Sequence, residues 1–388
     1  MSQNKRKLTI LGVHLYSSAY PNTRFSVDLL RNSGRLETRE IVLPMYSAAP
    51  FSGQKPGLCP KSIKFLRLAV RAVIAHSYVI LRYCVTKKPD ICYITYPGTG
   101  LLILMSLLPR FMRPRMLIAD GFISIYDTAV CDRKLLMAGG LPARLLFLLE
   151  KHAFGTATRI TVDTEENRQY YTGLFRIDVD RFRAIPLATD ETSFVYNRYS
   201  PGNRKCKVLF IGTFVPLQGT DVIAKAIALL GRRPDIEFVV IGTGQAVDTF
   251  QQIIRENENN RVTWISEWQD SDSLATHIQS ADICLGIFAD SPKTRRVWPL
   301  KNYAYMACGR AIITADTECA RRMFDGETDK PVITVPAGDA QALAGKIEHL
   351  ADSPELRTQL SERARNYYDT NLSNQILRDK LINELMLS

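Results

Sequence analysis

The chain has 388 residues, 46% hydrophobic and 23% charged, with a formal net charge of +11. That length is too great for one ordinary core and suits two, and the composition is that of a globular protein without low-complexity tracts. Eight cysteines form no Cys-x2-Cys pair and no His/Cys cluster, so neither a zinc module nor a disulfide framework is indicated, and a reducing cytoplasm fits.

In chain order, MSQNKRKLTILGV is a basic start running straight into an apolar strand, without the long apolar stretch and cleavage site of a signal peptide. The turn HLYSSAYPNTR places His14, Tyr20 and Arg24 where an acceptor or a phosphate could sit, ahead of a helix over 25–31. EIVLP, DICYITYP, RMLIAD and RITVDT are expected strands, separated by helical stretches such as 141–154. Asp120 ends RMLIAD and Asp127 follows in SIYDT. Carboxylates there could orient acceptor hydroxyls or stabilise a sugar cation, or could only cap a helix. IPLATDETSF is expected to cross over between two halves, and RYSPGNRK to be a polar linker and candidate hinge.

Much of the positive charge lies in the first half. KSIKFLRLAVRAVIAHSYVILRYCVTKK interleaves Lys61, Lys64, Arg67, Arg71, Arg82, Lys87 and Lys88 with apolar residues, and LLILMSLLPRFMRPR adds a second apolar stretch ending in cations. A spanning helix needs roughly 20 nearly unbroken apolar residues, which neither stretch supplies. Both could lie on an anionic membrane or be ordinary domain helices with cationic solvent faces. Nucleic acid is not indicated, because no recognition helix, aromatic-basic sheet motif or zinc module accompanies the charge.

From Lys205 strands and helices alternate more cleanly. KVLFIGTF ends near Gly212, DVIAKAIALLGRR follows as a helix, and EFVVIGTGQ leads into the Gly242–Gly244 turn. RVTWIS ends before Glu267, ADICLGIF precedes a basic loop with Lys293, Arg295, Arg296 and Lys301, and AIITAD and PVITV complete the strands. Such alternation indicates a parallel sheet covered on both faces, where ligands bind beyond the carboxyl ends of the strands. Gly212 to Gly219, Gly242 to Gly244, Glu267 and the basic loop are therefore expected to converge. Cations just before a helix make an anion site, although a charge run can equally be a solvated loop.

These segments resemble family 4 glycosyltransferases. The similarity runs through GTFVPLQGTDVIAKAI, FVVIGTGQ, VTWISEW, SADICLGIF, SPKTRRVWPLKNYAYMACGRAIITAD and VPAGDAQALAGKIEHLADSPELR, and in the first half through DGFISIYDTAVCDRK, ATRITVDTEENRQYY and IPLATDETSF. The resemblance implies an α/β chain of two facing Rossmann-like domains with a cleft between them, the type B glycosyltransferase (GT-B) fold. An acceptor-binding domain is expected over 1–198 and a nucleotide-sugar domain over 199–370, with a C-terminal helix over 371–388 packing back on the first. It implies a retaining transfer from a nucleotide-diphosphate sugar to a glycan or lipid-linked acceptor, without metal or further cofactor; with the cysteine usage and the basic-apolar segments, the expectation is a cytoplasmic enzyme peripheral on the membrane.

Two departures accompany the resemblance. Many family members carry Arg and Lys in the first glycine loop, where this chain has Thr213 and Gln218, and the family's paired glutamates align with Arg296 and Ala304. The chain looks like the branch with a Lys-x-Arg-Arg-Val-x-Pro-x-Lys loop, which implies that Lys293, Arg295, Arg296 and Lys301 supply the charge for the diphosphate. Alanine at 304 cannot hold the donor ribose as glutamate does. A non-catalytic nucleotide- or partner-binding relative, or a nucleotide-sugar epimerase or hydrolase on the same fold, are the competing expectations.

Overall fold

The computed structural model describes residues 5–13, 21–44, 61–202, 205–257 and 261–386. It divides into two compact units, one formed by Met1–Leu187 with Leu377–Ser388 and the other by Ala188–Ile376.

The first unit is built on β1 (Arg6–Gly12), α1 (Pro21–Arg31), β2 (Leu36–Val42), α2 (Lys61–Cys84), β3 (Ile91–Ile94), α3 (Thr99–Leu107), β4 (Met116–Asp120), α4 (Leu141–Thr156), β5 (Arg159–Val162), α5 (Glu165–Phe175) and β6 (Phe182–Ala184). Its six strands are parallel in the order β2-β1-β3-β4-β5-β6. All residues of β3 and β4 are buried, as continuous apolar runs must be in strands covered on both faces. In the stretch LLILMSLLPRFMRPR, α3 buries Leu101, Leu102 and Met105, while Leu107 and, beyond the helix, Phe111 are well exposed.

The second unit contains β7 (Cys206–Ile211), α6 (Thr220–Leu229), β8 (Ile236–Ile241), α7 (Val247–Arg255), β9 (Val262–Ile265), α8 (Ser271–Ser280), β10 (Ile283–Leu285), α9 (Leu300–Ala307), β11 (Ala311–Ala315), α10 (Glu318–Met323), β12 (Ile333–Val335), α11 (Ala340–Ala351) and α12 (Pro354–Tyr367). Its parallel sheet runs β12-β11-β10-β7-β8-β9. The chain leaves β7 toward β8 on one side and later returns to place β10 on the other. That reversal of direction opens a crevice at the carboxyl ends of β7 and β10, where doubly wound sheets hold ligands. The last helix, α13 (Asn374–Met386), runs from the second unit into the first, where Glu384 pairs with Arg183 at 2.7 Å.

RYSPGNRK does not mark the unit boundary. The chain changes units at Leu187–Ala188, because the residues after it are anchored in the second unit. Glu191 accepts hydrogen bonds from the Tyr368 hydroxyl at 2.9 Å and the Asn374 N–H at 2.7 Å, and the Asn197 carbonyl accepts from Arg310 at 2.7 Å. Tyr199 itself is buried, donating to Asp282 at 2.7 Å and accepting from Arg357 at 2.8 Å. Within RYSPGNRK, Tyr199 is thus tied into the second unit, and the change of units falls before this segment.

Candidate functional site

Three loops meet at the β7/β10 crevice. Gly242 follows β8 with φ +126°, and a Cβ there would overlap the Gly212 carbonyl oxygen, while one on Gly244 would overlap that of Thr213. The two glycine turns are therefore pressed backbone to backbone, a fit open only to residues without side chains. Between them Phe214 adopts φ +45°, a conformation that bulky residues rarely take. Its fully buried ring is wedged between Phe210 and Phe250 at centroid distances of 6.0 and 5.3 Å, so core packing holds the turn in this shape.

The basic loop is fastened to the first glycine loop. The Phe288 N–H donates to the Gln218 carbonyl at 3.1 Å, the Thr294 hydroxyl donates to that of Leu217 at 3.2 Å, and a Cβ on Gly219 would run into Phe288 and Ala289. A 3-10 turn over Thr294–Arg296 then leads into α9. The expected convergence of Gly212, Gln218, Gly242, Gly244 and the cationic loop is thus present in the fold, with Thr213 exposed beside it. Glu267 stands apart, exposed beyond the edge strand β9, two strands from β7.

The cations differ in state. Arg295, 53% exposed, pairs with Asp290 at 3.1 Å, and that hydrogen bond raises its pKa, so its charge is matched already. Arg296 donates from Nε to the Pro292 carbonyl at 3.1 Å. Lys301 is the unusual one. Its stem is half-buried, but its Nζ is shut off from solvent, has no hydrogen-bond partner among the described residues, and lies 3.8 Å from the Phe210 ring centroid. Burial pushes its pKa well below the ordinary lysine value. A ring face offsets only part of the desolvation of an ammonium, so burial favours the neutral amine here, and an anion close by would be needed to hold its charge. The Gln218 Oε1, also unpartnered, abuts Gly212 at the edge of the same Phe210 ring.

In the first unit Asp120 ends β4 at 9% exposure and lines a cavity of about 30 Å³ with Tyr93, Thr161 and Asp163. It accepts from the Phe122 N–H at 3.2 Å, the Tyr96 N–H at 3.4 Å and the Tyr93 hydroxyl, yet burial outweighs these bonds and raises its pKa to about 6. Asp127 is fully buried at the start of a π-helical turn, its N–H held by the Ser124 hydroxyl at 3.0 Å. Asp127 is thus interior, where the sequence suggested that it could face a cleft or cap a helix. Arg24 projects from α1, 3.8 Å from Asp28 and largely exposed. His14 and Tyr20 lie outside the described residues.

Two buried charged residues brace the surrounding elements without having been singled out in the sequence. Glu150, 1% exposed on α4, accepts from the Ser124 hydroxyl and the Ile125 N–H at 2.7 Å each and from the Tyr126 N–H at 2.9 Å, fixing the turn that carries Asp127. The available signal was an acid at helical spacing within the apolar series Ala143, Ala153 and Phe154. Arg310, 1% exposed, donates to the carbonyls of Ile278, Gln279, Cys308 and Gly309 and so closes the carboxyl ends of α8 and α9.

The outer face of the first unit is apolar and basic. Along α2, Val73, Ile74 and Leu81 are 66%, 57% and 64% exposed among exposed arginines, and α4 presents Leu141, Leu145 and Leu148 at 80%, 55% and 60%. Among the described residues no helix is long and apolar enough to cross a membrane.

Residues 205–353, within the second unit, match the family described as glycosyl transferases group 1. The D-inositol 3-phosphate glycosyltransferases of Arthrobacter sp. and Mycolicibacterium gilvum are 26% identical over 54% of this chain and 51% of theirs, and 23% identical over 80% and 74%. The chain spans about half the length of the first of these. Sucrose-phosphate synthase of Thermosynechococcus elongatus superposes over 98% of this chain and 99% of its own with TM-score 0.72 at 14% identity. Anabaena HepE in complex with UDP and glucose does so over 99% and 100% with TM-score 0.67 at 13% identity. The fold is that of two Rossmann-like domains shared with GT-B glycosyltransferases.

Proposed function

We propose that the chain is a retaining glycosyltransferase that moves a sugar from a nucleotide-diphosphate sugar to a glycan or lipid-linked acceptor at the cytoplasmic surface of a membrane. The observation that carries this reading is the solvent-excluded Lys301 amine, without a hydrogen-bond partner among the described residues, where two glycine turns and a cationic loop meet at a strand crossover. A diphosphate is the ligand such a site fits best, since it brings negative charge to Lys301, Lys293 and Arg296 and to the first N–H groups of α9. HepE, of like fold, is described in complex with UDP and glucose, which supports a uridine donor among the possibilities.

In the reaction the acceptor hydroxyl oxygen bonds to the anomeric carbon as the carbon–oxygen bond to the β-phosphate breaks. Charge accumulates on the departing phosphate, and preplaced cations lower the barrier by stabilising it more there than in the bound donor. The acceptor proton passes to a phosphate oxygen, which requires no enzymic nucleophile and no cofactor. Asp120, with its raised pKa, is assigned to acceptor hydroxyls in the first unit. The exposed apolar-basic face of α2 would bring the enzyme to a lipid-linked acceptor.

One observation favours a second reading. Ala304 is 5% exposed on α9, and a methyl group there cannot bind ribose hydroxyls, as a non-catalytic relative would tolerate. Calorimetry against UDP, GDP, ADP and dTDP and their sugar conjugates, followed by donor turnover with and without acceptor, separates the readings. Binding with acceptor-dependent turnover is expected. Binding without turnover would leave the non-catalytic reading, donor consumption without acceptor would indicate a hydrolase or epimerase, and no binding would remove the donor site.

A further inference from the structure

A second cavity, of about 560 Å³, opens on the first unit between the carboxyl ends of α3 and α4, lined by Ser106, Arg113, Lys151, His152 and Thr156 with Leu148. Its lining contains three basic side chains and no carboxylate. The helix ends beside it would ordinarily repel an anion, but arginines cover them. Arg113 donates to the Leu108 carbonyl at 2.8 Å and to that of Ser106, and Arg181 donates to those of Phe154 and Gly155 at 3.2 and 2.8 Å. The Ser106 hydroxyl donates to the Ile103 carbonyl at 2.6 Å and lies 2.9 Å from His152 Nε2, so the ring nitrogen is the donor of that pair.

The cavity continues directly into an apolar stripe. On α4 the residues three and four apart, Leu141, Leu145 and Leu148, share one face, and that face is turned to solvent, while Ala143, Glu150 and Ala153 on the opposite side are buried. A cationic cleft at one end of a leucine stripe has the form of a phosphate-bearing head group beside its acyl chains. A free phosphate would account for the cations but leave the leucines unexplained. A second copy of the chain would cover the leucines, but a two-fold interface sets the same patch against itself, bringing Lys151, Arg113 and Arg144 toward their own duplicates.

We infer that the cavity between α3 and α4 binds the head group of an anionic phospholipid while the Leu141–Leu145–Leu148 face of α4 inserts among the acyl chains. The inference deepens the peripheral-membrane part of the proposed function and rests on it. It adds α4 to the docking surface proposed for α2, although the sequence pattern did not distinguish α4 from an ordinary core helix.

The test is co-sedimentation of the full chain with vesicles of phosphatidylcholine alone and of phosphatidylcholine mixed with phosphatidylglycerol, repeated with excess inorganic phosphate. The wild-type chain should bind the mixed vesicles and resist displacement by phosphate. A basic side chain near an anionic surface contributes roughly fivefold to partitioning, so Lys151→Glu, a reversal of charge, should weaken binding at least tenfold. Leu145→Asp/Leu148→Asp should do the same. All three positions are exposed or half-buried at the surface, so melting temperature and nucleotide affinity should be unchanged. Wild-type binding with unaffected variants would overturn this inference alone, and no wild-type binding would overturn the membrane reading with it. Displacement by inorganic phosphate with no effect of the leucine changes would mark a soluble-phosphate site. A dimer in light scattering that the leucine changes dissociate would assign the face to a second copy instead.

Discussion

Lys301→Met removes an amine whose nitrogen is shut off from solvent and has no hydrogen-bond partner among the described residues, and replaces it with an apolar chain that keeps contact with the Phe210 ring. Stability and donor binding should respond in opposite directions. Burial is the sole cause of the lowered Lys301 pKa, and no carboxylate on β7, the first glycine loop or α9 offsets it. Above the unfolded lysine value of about 10.4 both states hold a neutral amine, and wild type and variant should differ little. As pH falls below it, the unfolded wild-type chain gains a proton that the folded chain resists. Wild type then loses about 1.4 kcal/mol per pH unit relative to the variant until the folded pKa is reached. For binding, a charge pair 4 Å apart is worth about 4 kcal/mol at an effective dielectric of about 20. A tenfold loss of nucleotide affinity, about 1.4 kcal/mol, is therefore a conservative expectation. Urea denaturation at several pH values between 7 and 10 measures the first effect. Calorimetry in two buffers of different ionisation enthalpy measures the second, and should show wild-type binding taking up a proton that the variant does not. A variant no more stable than wild type at any pH, with unchanged affinity, would mean that the ammonium is solvated and that no phosphate depends on it.

The other expectations are briefer. Arg296→Ala should weaken nucleotide binding or turnover at least tenfold, about 1.4 kcal/mol, with little change in melting temperature. Gly242→Ala forces a Cβ into the Gly212 carbonyl at φ +126° and should cost about 3 kcal/mol or more, lowering both melting temperature and nucleotide affinity. Asp120 is raised from 3.8 to about 6, so protonation favours the folded state below about pH 4 and this contribution is lost as pH rises through 6. Asp120→Asn should accordingly gain on wild type over that interval, by up to (6 − 3.8) × 1.36, about 3 kcal/mol, and level off above it; identical pH profiles of stability would refute the shift. Glu150→Ala strands three donors in the 124–126 turn and should cost about 3 kcal/mol or more by denaturant titration.

Much of the second unit was legible because its signals are local. Most strands are short apolar runs ending in glycine or a charge, as at Gly212, Gly242, Gly286 and Asp316, and the loops that follow lie at one edge of the sheet because every strand is parallel. Once the alternation was read, the meeting of Gly212, Gly242 and the basic loop followed from topology. The state of each cation did not. Arg295 and Lys301 look alike in a basic run, but whether a charge is matched depends on Asp290 in one case and on Phe210 in the other, and Phe210 is remote in sequence. The unit boundary was misplaced for a related reason. RYSPGNRK has linker composition, while the bonds that tie Tyr199 to Asp282 and Arg357 span the whole second unit.

Burial explains the two remaining differences in the first unit. Hydrophobic patterning distinguishes an apolar face from a polar one but not a covered apolar face from an open one. LLILMSLLPRFMRPR and the α4 sequence therefore read alike, although α3 buries Leu101, Leu102 and Met105 while α4 turns Leu141, Leu145 and Leu148 outward. What separates them is Glu150. An acid on the buried side of α4 finds donors in the 124–126 turn, which fixes the rotation of the helix about its axis. With Glu150, Ala143 and Ala153 facing inward, the leucines at 141, 145 and 148 have no inward position left. Their exposure is thus a consequence of how the Asp127 turn is held, and a substitution that releases Glu150 should disturb the outer leucine face as well as the turn.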